Sequence, residues 1–98
     1  MAQSIWTERS KLDYWDNIEY LEREWTEKEI IRFNKKTNEV LSSLLQENVV
    51  FKSTNYKNIF EVIVIKQITL FYEVKEENII LLRFWNNYQD PKKLNFNK

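Results

Sequence analysis

Apolar residues along this chain follow two periods, and the change of period divides it. From Glu8 to Glu24, Tyr14, Ile18, Leu21 and Trp25 recur at steps of four, three and four, the spacing that lines one face of an α-helix. Leu12 and Trp15 thicken that face, and the opposite face is rich in Asp and Glu, the pattern of a solvated surface. Thr7 stands where a helix needs an N-cap. Thr26 and Glu29 form a capping box, with Trp25 and Ile30 placed as its hydrophobic staple. A second helix therefore starts at Glu27 and is expected to end near Asn48. It carries Ile30, Phe33, Thr37, Val40/Leu41 and Leu44/Leu45 on one face. Two amphipathic helices joined without a spacer predict an antiparallel hairpin.

After residue 58 the pattern becomes that of strands. Residues 59–65 are β-branched and apolar on both faces apart from Glu61, which predicts a central or doubly covered strand. Lys66-Gln67 reads as a two-residue turn. Ile68, Leu70, Tyr72 and Val74 then alternate with Gln67, Thr69, Phe71 and Glu73, one apolar face and one mixed. Lys75-Glu76-Glu77-Asn78 reads as a turn in which Asn78 takes positive φ where no Gly is present, and residues 79–86 form the last strand. Such short connections force antiparallel pairing. Residues 49–58 read as a loop with a short extended piece, and residues 3–6 as a first strand. The expected fold is α+β, in the order strand–helix–helix–strand–strand–strand, with the helical hairpin packed on one face of a mainly antiparallel sheet. One domain is expected across residues 1–98.

Composition removes most familiar chemistries. The 98 residues include no His, no Cys and no Gly. Disulfides, thiolate nucleophiles, imidazole bases and Cys/His metal sites are excluded, as are the glycine loops that cradle phosphates. No cofactor is expected. Residues 1–6 lack the basic and apolar stretches of a secretory leader, and no run approaches the ~20 apolar residues of a membrane span. A cytoplasmic protein without membrane partners is the expectation. Net charge is zero, with a balance of −3 in residues 1–48 and +3 in residues 49–98. That is a weak footprint for a nucleic-acid binder.

Several tracts together resemble the RelE/ParE superfamily of bacterial type II toxins. They are Ser4-Ile5-Trp6-Thr7-Glu8-Arg9 leading into a helix, Ile18-Glu19-Tyr20-Leu21 with Trp25, and Lys66-Gln67-Ile68-Thr69-Leu70-Phe71-Tyr72, similar to the family's K-x-x-x-L-F-Y pattern. The last is Arg83-Phe84-Trp85-Asn86-Asn87-Tyr88-Gln89-Asp90-Pro91-Lys92-Lys93-Leu94, similar to its L-x-x-W-D-N-R-Q-[DN]-P-x-x-L ending. The resemblance covers nearly the whole chain. It implies a growth-inhibiting toxin neutralised by a cognate antitoxin, with operator DNA bound only through that antitoxin. ParE-like members act on DNA gyrase, and RelE-like members cut mRNA on the ribosome. A third possibility is a degenerate, non-toxic binding protein of the same fold. Phe60-Glu61 and Asn87-Tyr88 stand where relatives often carry basic residues, which favours the gyrase-type reading.

Cleavage of RNA by its own 2′-OH needs a base, a cationic stabiliser and an acid. Without His, the candidates here are Arg83, Tyr88 and Lys66. Arg83 stands in an apolar strand on the face assigned to Ile79, Leu81 and Trp85. It is either a phosphate clamp or the partner of a carboxylate such as Glu61 or Glu73. Tyr88 is a base-stacking platform or an aromatic that packs the tail onto the sheet. Lys66 is a phosphate contact or a solvated turn residue. Lys52, Lys57, Lys92 and Lys93 are candidates for contacting the target or nucleic acid. Trp15, Trp25 and Trp85 read as core first and antitoxin interface second.

Overall fold

Two threonines start the two helices. Thr7 accepts a 3.1 Å hydrogen bond from the Ser10 amide through Oγ1, and α1 runs Glu8–Glu24. The Thr26 amide donates to Glu29 at 3.1 Å, closing the capping box that opens α2 at Glu27–Leu45. The hydrogen bond from the Thr26 hydroxyl holds the Glu29 carboxyl below its ordinary pKa. The computed structural model describes residues 2–46 and 52–96. The expected end of α2 near Asn48 lies outside them; the helix ends at Leu45, with Gln46 as its C-cap.

The strands are β1 (Ser4–Trp6), β2 (Lys52–Ser53), β3 (Phe60–Ile65), β4 (Ile68–Lys75) and β5 (Asn78–Asn86), followed by a 3-10 turn at Pro91–Lys93. They form one sheet in the order β1-β5-β4-β3-β2. β1 pairs with β5 in parallel and every other neighbour is antiparallel. A parallel pair needs a long crossover, and the chain between β1 and β5 supplies one.

The helical hairpin covers one face of the sheet. Leu21, Phe33, Leu41 and Leu44 meet Val64, Ile68, Leu70, Leu81 and Phe84 in the core. Tyr14 stacks on Phe33 at 4.8 Å between centroids, and Trp6 stacks on Phe84 at 5.2 Å. Each such pair contributes roughly 0.5–1.5 kcal/mol beyond the area it buries.

Four expectations are corrected. Leu12 and Trp15 do not thicken the buried face of α1; they are 61% and 65% exposed, and Trp15 is not core. The buried stripe is Ser10, Asp13, Asn17 and Leu21, so the Asp/Glu residues of α1 are not all solvated. β3 is not doubly covered, because Ile63 on its outer side is 67% exposed. The strands buried on both faces are β4, from Ile68 to Tyr72, and β5, from Leu81 to Asn86. In the β4–β5 turn Lys75 pairs with Asn78, so positive φ falls on Glu76 and Glu77. A two-residue hairpin of this kind needs φ > 0 at both central positions. Asn78 starts β5 instead, and its side chain accepts from the Gln3 amide.

Candidate functional site

β1 accompanies β5 only from Ile79 to Leu81. Beyond Leu81 the outer edge of β5 would present bare N–H and C=O groups, which are costly when left without partners. The side chains of α1 continue where β1 stops. Thr7 donates its hydroxyl to the Leu81 carbonyl at 2.7 Å. Asp13 Oδ2 accepts from the Phe84 amide at 3.2 Å, and Asn17 Nδ2 donates to the Phe84 carbonyl at 2.8 Å. Thr7, Asp13 and Asn17 thus replace a strand along this edge, and Ser10, on the same stripe, bonds back to the Thr7 carbonyl at 2.8 Å.

Arg83 is set into this edge. Phe71 pairs with Arg83 and Tyr72 with Leu81, so Leu82 is the extra residue and the register shifts there. The shift corrects the face assigned to Arg83. Leu81 and Phe84 join the core, while Arg83 shares its side with Trp85, whose ring centroid lies 5.4 Å from Cζ. Arg83 is 3% exposed. Its Nε donates to Asp13 Oδ2 at 2.6 Å, Nη2 to Asp13 Oδ1 at 3.3 Å, and Nη1 to the Asn95 carbonyl at 2.8 Å. Arg9 adds a second guanidinium on Asp13 Oδ1 at 3.3 Å. The partner of Arg83 is therefore Asp13, not Glu61 or Glu73. A guanidinium held in this way joins α1, β5 and the C-terminal segment.

Beside this pair a cleft of ≈ 540 Å³ runs between α1 and residues 86–93. Arg9, Arg23 and Lys93 line it together with Asp16, Glu19 and Asp90, and Arg83 and Asp13 form part of its wall. The two signs of charge are interspersed, so the cleft has no single-sign field to draw in a polyanion.

Lys66 and Tyr88 meet elsewhere, at the end of the sheet. Asn87 holds that end together: its amide donates to the Gln67 carbonyl at 2.8 Å, its Nδ2 to the Lys66 carbonyl at 3.0 Å, and its Oδ1 accepts from the Thr69 hydroxyl at 2.9 Å. Lys66 Nζ sits 5.2 Å from the Trp25 ring centroid, and the Tyr88 ring lies 6.3 Å from the same indole. Tyr88 is 59% exposed. It does not pack the tail onto the sheet; Phe96 does that, against Phe71 and Tyr56. Lys52 is an exposed partner of Glu61 at 3.8 Å. Lys57 is exposed beside the positive-φ residue Asn58, and Lys92 and Lys93 are exposed on the 3-10 turn. The three catalytic candidates thus divide: Lys66 and Tyr88 share Trp25, and Arg83 is committed to Asp13. Among the described residues no three His, Cys, Asp or Glu side chains gather as metal ligands, and no helix is long and apolar enough to cross a membrane.

Sequence reasoning missed Asp13 and Phe96. Asp13 was legible in principle, because Ser10, Asp13, Asn17 and Leu21 follow helical steps of three, four and four. A search confined to apolar residues passes over a buried polar stripe.

No family model matches the chain, and no curated protein does. Solved structures do match. A chain of the chromosomal ParDE toxin–antitoxin system from P. aeruginosa is 12% identical, with a TM-score of 0.69 over 88% of this chain and 95% of that one. A copper-bound mutant toxin from Helicobacter pylori is 20% identical, with a TM-score of 0.64 over 89% and 96%. The YoeB–YefM toxin–antitoxin complex from Staphylococcus aureus matches at 15% identity and a TM-score of 0.58, over 90% and 99%.

Proposed function

We propose, from the premise that this chain carries the RelE/ParE toxin fold, that it is the toxin of a type II toxin–antitoxin module. In this reading it inhibits growth of a bacterial host by binding a protein target, with DNA gyrase the leading candidate, until a cognate antitoxin neutralises it. The observation that carries the choice of target is the burial of Arg83 on Asp13. A ribonuclease of this composition needs a cation free to stabilise the pentavalent phosphate, and Arg83, the only Arg of residues 49–98, is spent on holding α1 to β5. The mixed charge of the neighbouring cleft supports the same choice.

The second reading is an mRNA endonuclease working on the ribosome. The grouping of Lys66, Trp25 and Tyr88 favours it, since a cation beside the half-buried Trp25 and the exposed Tyr88 ring suits a stacked nucleotide. Induced expression without the antitoxin separates the two. Blocked supercoiling with a DNA-damage response is the expected result, with translation continuing. Rapid translational arrest with cleaved mRNA, abolished by Tyr88→Ala, would establish the nuclease instead. Normal growth would leave a non-toxic binding protein.

A further inference from the structure

The outer side of the helical hairpin, away from the sheet, exposes large apolar residues. Leu12 and Trp15 on α1 are joined there by Ile31 on α2, itself 61% exposed. The Tyr14 hydroxyl donates to Asn34 Oδ1 at 3.0 Å, which fixes the level of α1 against α2. Trp15 follows Tyr14, and Ile31 precedes Asn34 by one helical turn. The three residues therefore fall on one face of the hairpin, close to one another along its axis. Exposed apolar residues scattered singly need no explanation, but a group on two neighbouring helices marks a contact surface.

The charges around this face sort by helix. Arg9 is tied to Asp13, Lys11 to Glu8 and Arg23 to Glu24. The remaining charges of α1 are Asp16, Glu19 and Glu22, at steps of three, all acidic and all exposed. Asp16 and Glu19 border the cleft as well. On α2, Lys36 is tied to Glu39, and Glu29 closes the capping box. That leaves Lys28, Arg32 and Lys35, at steps of four and three, all exposed. It also leaves Glu27, whose place in the first turn suits the helix dipole. Among the described residues, none of the three acids on α1 or the three bases on α2 takes part in an ion pair.

We infer that this face is a self-association surface, on which a second copy of the chain docks with its α1 against α2 of the first. A rotation of 180° about an axis parallel to the helices places each α1 over the other copy's α2. Each acidic stripe then meets a basic one, and each Trp15 approaches the other copy's Ile31. An axis across the helices would set α1 on α1, like charge on like charge, and is disfavoured. A foreign partner would need a matching pattern of its own, whereas a second copy carries it by symmetry. Helices of 17 and 19 residues are about 26–28 Å long and pack about 10 Å apart. The face is therefore on the order of 500 Å² per copy and about 1,000 Å² per dimer, the lower end for a specific contact. The dimer is accordingly weak and reversible.

Sedimentation equilibrium of the full chain is the test. Wild type should show a monomer–dimer equilibrium with a Kd of about 10–100 µM, the range of weak contacts of this size. Glu19→Lys/Glu22→Lys and Lys28→Glu/Lys35→Glu alter exposed positions only, so each variant should fold. Each should associate with itself on the order of tenfold more weakly, because like stripes then face each other. Mixed in equal amounts, the two variants should recover the wild-type dimer, because both reversed stripes then face their opposites. Trp15→Ala should weaken association on the order of tenfold. A second measurement needs no variant: dilution of ¹⁵N-labelled wild type should move the Trp15 indole signal while the amides of β4 stay in place. A wild-type chain that stays monomeric to about 500 µM overturns the proposal and leaves this face to a different protein. A dimer that both charge reversals leave intact, or a mixture of the two variants that stays monomeric, overturns it as well.

Discussion

Asp13 Oδ2 lies 2.6 Å from Arg83 Nε across 70 residues of chain, and both side chains are nearly shut off from solvent. The same carboxylate takes the Phe84 amide and the Arg9 guanidinium, so it is satisfied on every side. Removing one member of a buried pair leaves the other charge uncompensated, which costs about 3–5 kcal/mol. Asp13→Ala and Arg83→Ala should each lower the unfolding free energy, read from urea titration, by that amount. The double variant Asp13→Leu/Arg83→Met should recover part of the loss, because an apolar pair carries no stranded charge. Additive losses in the double variant would show that the two residues act separately.

Tyr72 gives the protein an alkaline limit. It is buried against Phe60, with the rings 5.7 Å apart, and burial pushes its phenol up to about 12 from an ordinary value of 10.0. Ionisation is disfavoured in the folded state, so the unfolded chain gives up this proton first. The contribution is fully present below pH 10 and is lost as pH rises toward 12, on the order of 2–3 kcal/mol in all. Urea unfolding of Tyr72→Phe across pH 9–12 should show a shallower decline than wild type. Parallel declines would mean that Tyr72 titrates like an exposed tyrosine.

Thr37 is an exception to the rule that buried polar groups find partners. It lies on the core face of α2, and its Oγ1 has no hydrogen-bond partner among the described residues. Val has nearly the same shape without the hydroxyl, and a buried unpaired hydroxyl costs roughly 1–3 kcal/mol. Thr37→Val should therefore raise the melting temperature, while Thr37→Ser should lower it through the lost methyl. A drop for Thr37→Val would reveal a bound water or other partner for the hydroxyl.

The helices were the most legible part of the chain, because each begins with its own local signal. Thr7 and the Thr26/Glu29 box act within a single turn, and α1 runs over the expected Glu8–Glu24. Strand existence was legible too, from the change of period. Which strands are buried on both faces was not, since that depends on Phe96 packing on Phe71 and on the register shift at Leu82. A one-residue shift exchanges the two faces of a strand, and no local feature of Leu81-Leu82-Arg83 announces it. The candidate site was legible as residue types. Arg83 was singled out for needing a partner, but that partner lies 70 positions away on a helix whose acidic residues are otherwise exposed.

The β4–β5 turn carries a strain that can be removed. Glu76 and Glu77 have φ of 51° and 72°, in the left-handed region where a Cβ meets the following carbonyl at a cost of roughly 1–2 kcal/mol per residue. The chain has no Gly to place there, and the turn is nevertheless set by the pairing of Lys75 with Asn78 on a long, well-buried hairpin. Glu77→Gly should stabilise the protein by about 1 kcal/mol, because relief of strain exceeds the added flexibility of the unfolded chain. Glu76→Asn should add a smaller gain, since Asn tolerates this conformation better than Glu. Lys75→Gly, one residue earlier in extended backbone, is the control and should destabilise. Equal losses from Glu77→Gly and Lys75→Gly in thermal unfolding would show that the positive φ carries no strain.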